Sequence, residues 1–206
     1  MTRSSLTDSL RELAATALHT ADALDASIER AGAMVLETVA RGGTLYFCGN
    51  GGSAADAQHM ATEYVVRYRR DRRAIAALAL TTDTSLLTAA GNDLGFDEVF
   101  ARQVEAFCRP GDLLVIHSTS GNSPNVLRAA ESARARGVAV LAFSARDGGA
   151  LAALADHSVI VPTDRTDRAQ ELHLCIEHAI CDRVELELIA HEHGVMPPDD
   201  SSTGAR

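Results

Sequence analysis

Hydrophobic positions along this chain follow two spacings in turn, and they predict strands alternating with helices. Short apolar runs predict five buried strands, at 44–48, 75–80, 113–117, 139–143 and 158–161. Apolar residues at every third or fourth position predict the helices between them, at 53–68, 84–90, 97–107, 124–136, 150–154 and 167–191. Strands that are apolar throughout and separated by helices favour an α/β fold, a parallel sheet with helices on both faces.

The N-terminal segment carries a helical pattern of its own, ahead of the first strand. Apolar residues such as Leu6, Leu10 and Leu13 recur at helical spacing over residues 5–40, and two glycines then end the segment. Such a helix either packs on the core or presents a second apolar face to another subunit, and both alternatives stay open. The polar stretch 196–206 predicts a disordered tail, which leaves residues 1–195 as one domain.

Composition narrows the possible functions. The 206 residues carry a net charge of −9, which argues against general nucleic-acid binding. No apolar run is long enough to cross a bilayer, and the N-terminus lacks the apolar core of a signal peptide, so we expect a cytoplasmic protein. The chain contains no lysine, which excludes Schiff-base catalysis. Its four cysteines form no metal-binding or redox spacing, and we expect buried, reduced thiols.

Two loops rich in glycine and serine follow predicted strands, and each opens a helix. The polar or glycine residues concerned are Asn50, Gly51, Gly52 and Ser53 in the first loop and Ser118, Thr119, Ser120 and Ser123 in the second. Backbone N–H groups and the positive end of a helix meet in such loops, so both are typical of phosphate sites. We also expect Ser53 and Ser123 to be helix N-caps, with Asp56 as the capping-box partner of Ser53.

Titratable side chains lie close to the first loop along the sequence. His59 and Glu63 are four residues apart and therefore share a helix face. On the last helix, Gln170 and His178 fall roughly 80° apart around the axis, on the same side. These four side chains indicate either a metal site or an acid/base set, with His173 as an alternative to His178 for the inward-facing histidine.

The segment from Gly49 to His59, together with Glu63 and Arg67, closely resembles the signature of phosphoheptose isomerases. These are sedoheptulose 7-phosphate isomerases of the sugar-isomerase (SIS) fold. Further matches are found at 81–85, 91–96, 118–125, 147–149 and along the last predicted helix, in order and without large gaps. The resemblance implies a three-layer fold with a five-stranded parallel sheet and long terminal helices. It also implies a homotetramer with active sites between subunits.

The resemblance implies a role for each matched polar residue. Phosphate would be held by Ser118, Thr119, Ser120 and Ser123. Other substrate contacts are implied for Asn50, Gly51, Gly52, Ser53, Glu63, Arg67, Asn92, Asp93, Asp167 and Gln170. Glu63 and His178 correspond to the acid/base pair. Many members bind Zn²⁺, and the matching ligands are His59, Glu63, Gln170 and His178, although glutamine is an unusual zinc ligand.

By resemblance, the reaction is the conversion of sedoheptulose 7-phosphate to D-glycero-D-manno-heptose 7-phosphate through an enediol(ate), the first step of ADP- or GDP-heptose biosynthesis. One alternative is an isomerase for a different ketose phosphate. Another is a non-enzymatic SIS-domain partner of the bacterial replication initiator. The complete set of acid/base and metal residues favours the enzyme, because an adaptor has no need to keep it.

A few positions depart from the family pattern. His117 and Ser144 stand at predicted strand ends where the family is expected to have other residues, and Arg165 and Arg168 flank Asp167. None of these departures removes a predicted catalytic residue. Separately, the basic run at 67–73 predicts a solvated helix end and loop.

Overall fold

A five-stranded parallel sheet organises the part of the chain that the computed structural model describes, residues 5–192. The strands are β1 (Leu45–Gly49), β2 (Ala77–Ala79), β3 (Leu113–His117), β4 (Ala139–Ala145) and β5 (His157–Val161). The helices are α1 (Asp8–Ala40), α2 (Gly52–Val65), α3 (Thr84–Asp93), α4 (Ala101–Phe107), α5 (Pro124–Ala135), α6 (Leu151–Leu154) and α7 (Thr166–Glu192), with a 3₁₀ turn at Phe96–Glu98. The strand order is β2-β1-β3-β4-β5, and every neighbouring pair is parallel.

Alternate strand residues contribute to two separate hydrophobic cores, one on each face of the sheet. Leu45 and Phe47 of β1 join the core beneath α1, α2 and α7, whereas Tyr46 and Cys48 join the core beneath α4 and α5. Successive side chains of a strand point to opposite faces, so a sheet covered on both sides needs apolar residues at every position. The predicted α/β fold, with its long terminal helices, is confirmed.

The first helix packs on the core, and the contact of a second apolar face with another subunit stays a prediction. Leu13 and Ile28 pack against the core on one side of α1. Leu10 and Leu18 of the same helix are nevertheless 67% and 70% exposed, and Leu6, just before the helix, is 95% exposed. Burial by the sheet therefore does not account for the whole apolar pattern of this helix.

Most differences from the predicted elements lie at their ends. The strand predicted at 75–80 is reduced to the three residues of β2, and the helix predicted at 53–68 ends at Val65. The helix predicted at 97–107 is divided into the 3₁₀ turn and α4. Element types depend on long apolar patterns, but element ends depend on a few local contacts, which explains where the errors fall.

The start of α2 contradicts the capping prediction. Gly51, at φ 58°, is the N-cap, so Ser53 lies buried inside the first turn and does not cap the helix. Asp56 is accordingly not a capping-box partner, and its Oδ2 is buried without a hydrogen bond from the described residues. A positive φ favours glycine, which makes Gly51 the residue that can turn the chain here.

The start of α5 agrees with the prediction in position. Ser123 is the N-cap and Pro124 the first helical residue, but the Ser123 side chain makes no capping hydrogen bond. Its hydroxyl is therefore available to another partner.

Three further predictions concern the tail, membrane spans and cysteines. The predicted tail at 196–206 lies outside the described residues. Within residues 5–192, no helix combines the length and the apolar character that crossing a membrane requires. All four cysteines are free, but Cys175 is exposed, so the prediction of buried thiols is wrong for this residue.

Candidate active site

Both glycine- and serine-rich loops lie at the carboxyl edge of the sheet, beside its centre. β1 and β3 are neighbours, and the chain leaves them towards opposite edges of the sheet, which is where parallel sheets form a ligand crevice. The amides of Asn50 and Asn125 exchange two hydrogen bonds of 2.8 Å and so join the two loops. The sequence did not single out Asn125.

The second loop, residues 118–123, is called the hydroxyl loop from here on. The hydroxyls of Ser118, Thr119 and Ser123 make no hydrogen bond with other described residues, and Ser120 Oγ accepts a 3.3 Å bond from the Asn122 N–H. The loop leads directly into α5 and contains no basic residue. Unused hydroxyls at a helix N-terminus form a neutral, donor-rich site for an anion.

The turn at residues 147–149 packs against the hydroxyl loop. Gly121 has φ 61°, and a Cβ atom there would collide with the carbonyl oxygen of Gly148. The N–H of Leu151 also donates to the Gly121 carbonyl at 2.9 Å. A Cβ atom at Gly149 would likewise lie 2.5 Å from the Ser120 carbonyl oxygen, so this close approach requires glycine in the loop and in the turn.

His59, Glu63 and His178 form a compact group, called the His–Glu cluster here. His59 Nε2 lies 3.2 Å from Glu63 Oε1 and 2.9 Å from His178 Nε2. One ligand atom from each of the three residues lies within 4.8 Å of the others. Burial is the main cause that lowers the pKa of His178, and the adjacent His59 lowers it further. The neutral imidazole is therefore favoured.

The two candidate histidines of α7 point in different directions. His173 is fully buried against β4, where its Nε2 lies 2.9 Å from the Ser144 carbonyl oxygen, and burial lowers its pKa to about 4. His178 instead reaches α2 and the His–Glu cluster. Gln170 lies against Gly52, where a Cβ atom would be 2.5 Å from Gln170 Nε2, so its amide borders the first loop.

Four predicted substrate residues are not brought to the His–Glu cluster by any hydrogen bond or ion pair among the described residues. Arg67 is exposed beyond the end of α2. Asn92 and Asp93 are exposed at the end of α3 and hydrogen-bond to each other. Asp167 pairs with Arg165, whose hydrogen bonds lower the Asp167 pKa to about 2. Their predicted contacts with substrate stay predictions.

A buried ion pair lies between the two parts of the site. His117 Nε2 is 2.8 Å from both carboxylate oxygens of Glu177, and the His117 ring stacks near Phe47 and Phe143. Burial alone would lower the pKa of His117, but the charge and hydrogen bond of Glu177 outweigh burial and raise it. The only signal in the sequence was a polar residue at the end of an apolar strand.

The basic run at 67–73 is more than the solvated segment that the sequence predicted. The side chains of Arg72 and Glu185 are fully buried, with Arg72 Nε 3.4 Å from Glu185 Oε1. Tyr68 stacks on the ring of His178, with ring centroids 4.9 Å apart and an interplanar angle of 11°. Sequence spacing gave no indication of either contact, because both join segments more than a hundred residues apart.

Known proteins match this chain over most of its length. A family model described as the SIS domain matches residues 10–145. A phosphoheptose isomerase of Paramagnetospirillum magneticum is 55% identical over 150 residues, which cover 73% of this chain and 78% of the relative. The structure of a phosphoheptose isomerase from Neisseria gonorrhoeae has a TM-score of 0.83 and 43% identity, covering 88% of this chain and 97% of that one. The structure of a phosphoheptose isomerase from Francisella tularensis has a TM-score of 0.85 and 33% identity, covering 88% of this chain and 96% of that one.

The fold thus defines a SIS-domain protein, and the paired loops are its candidate phosphate site. The chain belongs to the phosphoheptose isomerase family and is an isomerase. The family resemblance predicted from the sequence is confirmed.

Proposed function

We propose that this enzyme converts sedoheptulose 7-phosphate to D-glycero-D-manno-heptose 7-phosphate through an enediol(ate). The observation that carries the proposal is the common position of the hydroxyl loop and the His–Glu cluster. One region suits a phosphate monoester and the other supplies proton-transfer groups. The loop follows β3, and α2, which carries His59 and Glu63, follows the neighbouring β1, so both start from the carboxyl edge of one sheet. An isomerase of a phosphorylated sugar requires these two functions together.

The hydroxyl loop would anchor the phosphate. Neutral hydroxyls and the N-terminus of α5 stabilise a dianion without a fixed positive charge. Binding energy from the phosphate, which is remote from the reacting carbons, then serves to orient the sugar in the crevice.

The His–Glu cluster would carry the proton transfer. Glu63 is the candidate base that removes the proton from C1 of the ketose, and His178 the candidate acid that returns a proton at C2; the reverse assignment is also compatible with the proposal. The neutral imidazole accepts a proton, and the imidazolium formed in this way returns one, so a histidine suits this step. The first loop, from Asn50 to Ser53, would border the sugar.

The residues also fit a Zn²⁺ ion. Two imidazoles and one carboxylate with converging ligand atoms are the donor set of many catalytic zinc sites. His59, Glu63 and His178 would hold the ion, with Gln170 as the fourth predicted ligand, one ion per subunit. When bound, zinc would polarise the substrate carbonyl and stabilise negative charge on oxygen.

We also propose that the protein is a homotetramer with active sites between subunits, acting in the cytoplasm without nucleic acid or membrane. Leu10 and Leu18, exposed on α1, support assembly, because large exposed apolar side chains favour burial against another copy. The position of Asn92 and Asp93, exposed on α3, is compatible with a contribution to a neighbouring subunit's site.

Proton NMR of the purified protein with sedoheptulose 7-phosphate in D₂O, with and without a chelator, tests the proposal. Aldose product with deuterium at C2 would support the isomerase and the proton-transfer route. Loss of activity on chelation, restored by added Zn²⁺, would support the metal. No turnover in either condition would contradict the proposed substrate and favour another ketose phosphate or the non-enzymatic binding partner.

A further inference from the structure

We infer that Tyr68 is a positioning residue for His178, held in place by the buried pair of Glu185 and Arg72. The inference rests on the proposed function, since it assumes that His178 takes part in proton transfer. Tyr68 lies beyond the end of α2 and outside the regular elements, so its position depends on contacts made by its own segment.

The rings of Tyr68 and His178 are in contact. Tyr68 and His178 are nearly parallel, with centroids 4.9 Å apart, and the His59 ring approaches His178 edge-on at 5.0 Å and 67°. Rings in such stacked and edge-on contacts resist rotation, because turning either ring loses contact area. The imidazole of His178 is thereby held with its Nε2 directed at His59.

One carboxylate holds the backbone of the Tyr68 segment. Glu185 accepts hydrogen bonds from three successive backbone N–H groups, those of Tyr68 at 2.7 Å, Arg69 at 3.0 Å and Arg70 at 2.9 Å. Burial alone would raise the pKa of Glu185, but these three bonds outweigh it and lower the pKa. A carboxylate that binds three consecutive amides fixes the path of the segment.

A buried arginine connects this carboxylate with the helix that carries Glu63. Arg72 pairs with Glu185 and donates to the carbonyl oxygens of Tyr64 at 2.8 Å and Glu63 at 2.7 Å. These carbonyls belong to the last turn of α2, where no residue continues the helix. One buried ion pair therefore joins the end of α2, the Tyr68 segment and α7, the three segments that meet at the His–Glu cluster.

The contact can be tested with Tyr68→Leu and Tyr68→Phe. Leucine removes the aromatic face, so we expect kcat to fall about tenfold while KM stays within about twofold of the wild type. Phenylalanine keeps the face and should restore kcat to within about twofold, since the hydroxyl has no partner among the described residues. Phe107→Leu, a partly exposed aromatic on α4, is the matched control and should leave kcat unchanged.

A second measurement does not depend on activity. In the metal-free protein, the ring current of Tyr68 should shift the imidazole proton resonances of His178 upfield. Tyr68→Leu should remove that shift and Tyr68→Phe should keep it. In Glu185→Gln, which weakens the hold on the segment, both the shift and kcat should decrease.

Either readout can overturn the inference. Unchanged kcat and unchanged His178 resonances in Tyr68→Leu would show that the stack positions nothing, and equal losses in Tyr68→Leu and Tyr68→Phe would assign the effect to the hydroxyl. Retention of both readouts in Glu185→Gln would contradict the role of Glu185. If the wild type turned over no ketose phosphate, the proposed function would fail, while the resonance comparison would still decide whether Tyr68 orients His178.

Discussion

The hydroxyl loop and the His–Glu cluster serve one proposed reaction but are built in different ways. The hydroxyl loop consists of consecutive residues, 118–123, between a strand and a helix. The cluster joins His59 and Glu63 of α2 to His178 of α7, more than a hundred residues further along the chain. The donors of the loop are adjacent along the backbone, which the turn at 147–149 supports, whereas the cluster forms only when two helices pack in one register. Substitutions should therefore affect the two regions differently.

The largest effect is expected in the cluster. Glu63→Gln removes the candidate base and keeps the side-chain shape, so kcat should fall about 1,000-fold with little change in KM. Steady-state kinetics on the ketose phosphate measures both constants, and Glu131→Gln, exposed on α5, is the control. A variant that kept wild-type turnover would refute the role of Glu63.

A large effect on stability is expected where the two regions meet. His117 precedes the hydroxyl loop and Glu177 precedes His178, so their ion pair joins the regions. His117→Leu leaves a buried carboxylate without a partner and should lower the free energy of unfolding by about 3 to 5 kcal/mol.

The double variant His117→Leu/Glu177→Leu supplies the control, because it removes both charges. Its stability should return close to that of the wild type, since apolar residues of similar volume can replace a buried ion pair without loss. Urea unfolding of the wild type, the single variant and the double variant measures this. Additive losses in the double variant would show that the pair is not energetically coupled.

The helix that carries His178 should also contribute to the pH dependence of stability. The pKa of His173 is lowered from its usual 6.5 to about 4 in the folded state. Between about pH 6.5 and pH 4, His173 is therefore protonated in the unfolded chain but neutral in the folded protein. Protonation stabilises the unfolded state, so the free energy of unfolding decreases as the pH falls from 6.5 to 4. At pH 4.5 this amounts to about 2 to 3 kcal/mol.

Comparison with His173→Leu isolates this contribution from that of other titrating groups. The variant should be less stable at neutral pH, because the Ser144 carbonyl loses its partner, but its stability should decline less steeply on acidification. Urea unfolding between pH 4.5 and 7 gives both slopes. Parallel curves for the two proteins would rule out His173 as the cause.

The smallest effect is expected in the hydroxyl loop. Ser120→Ala removes one of several donors to the phosphate, so KM should rise about tenfold while kcat stays within about twofold. Ser132→Ala, on α5 but outside the loop, should change neither constant. A loss of kcat in Ser120→Ala would mean that the loop contributes to the chemical step as well as to binding.

The hydroxyl loop could be predicted from the sequence because its parts are adjacent. A buried strand, hydroxyls and Ser123-Pro124 follow one another, and each has a local conformational preference. The start of α2 was predicted wrongly for a related reason. Several residues there could begin a helix, and the positive φ of Gly51 decides between them only when the chain must turn at this point.

The acid/base set could be predicted only in part. The spacing of His59 and Glu63 places them on one helix face whatever the fold. Which of His173 and His178 faces α2 depends on how α7 is rotated against the sheet and against α2. Packing determines that rotation, and the sequence spacing does not. The contacts of Tyr68, Arg72 and Glu185 left no periodic signal, because each lies outside an apolar pattern or interrupts one.

The sequence by itself determined the α/β class, the order of elements, the hydroxyl loop and the family, because these follow from local preferences and contiguous motifs. The tertiary structure alone decided which histidine reaches α2, and that the pairs His117–Glu177 and Arg72–Glu185 are buried. The physical reason is that buried charges are tolerated only where a partner from another segment meets them, and such partners are brought together by packing rather than by position along the chain.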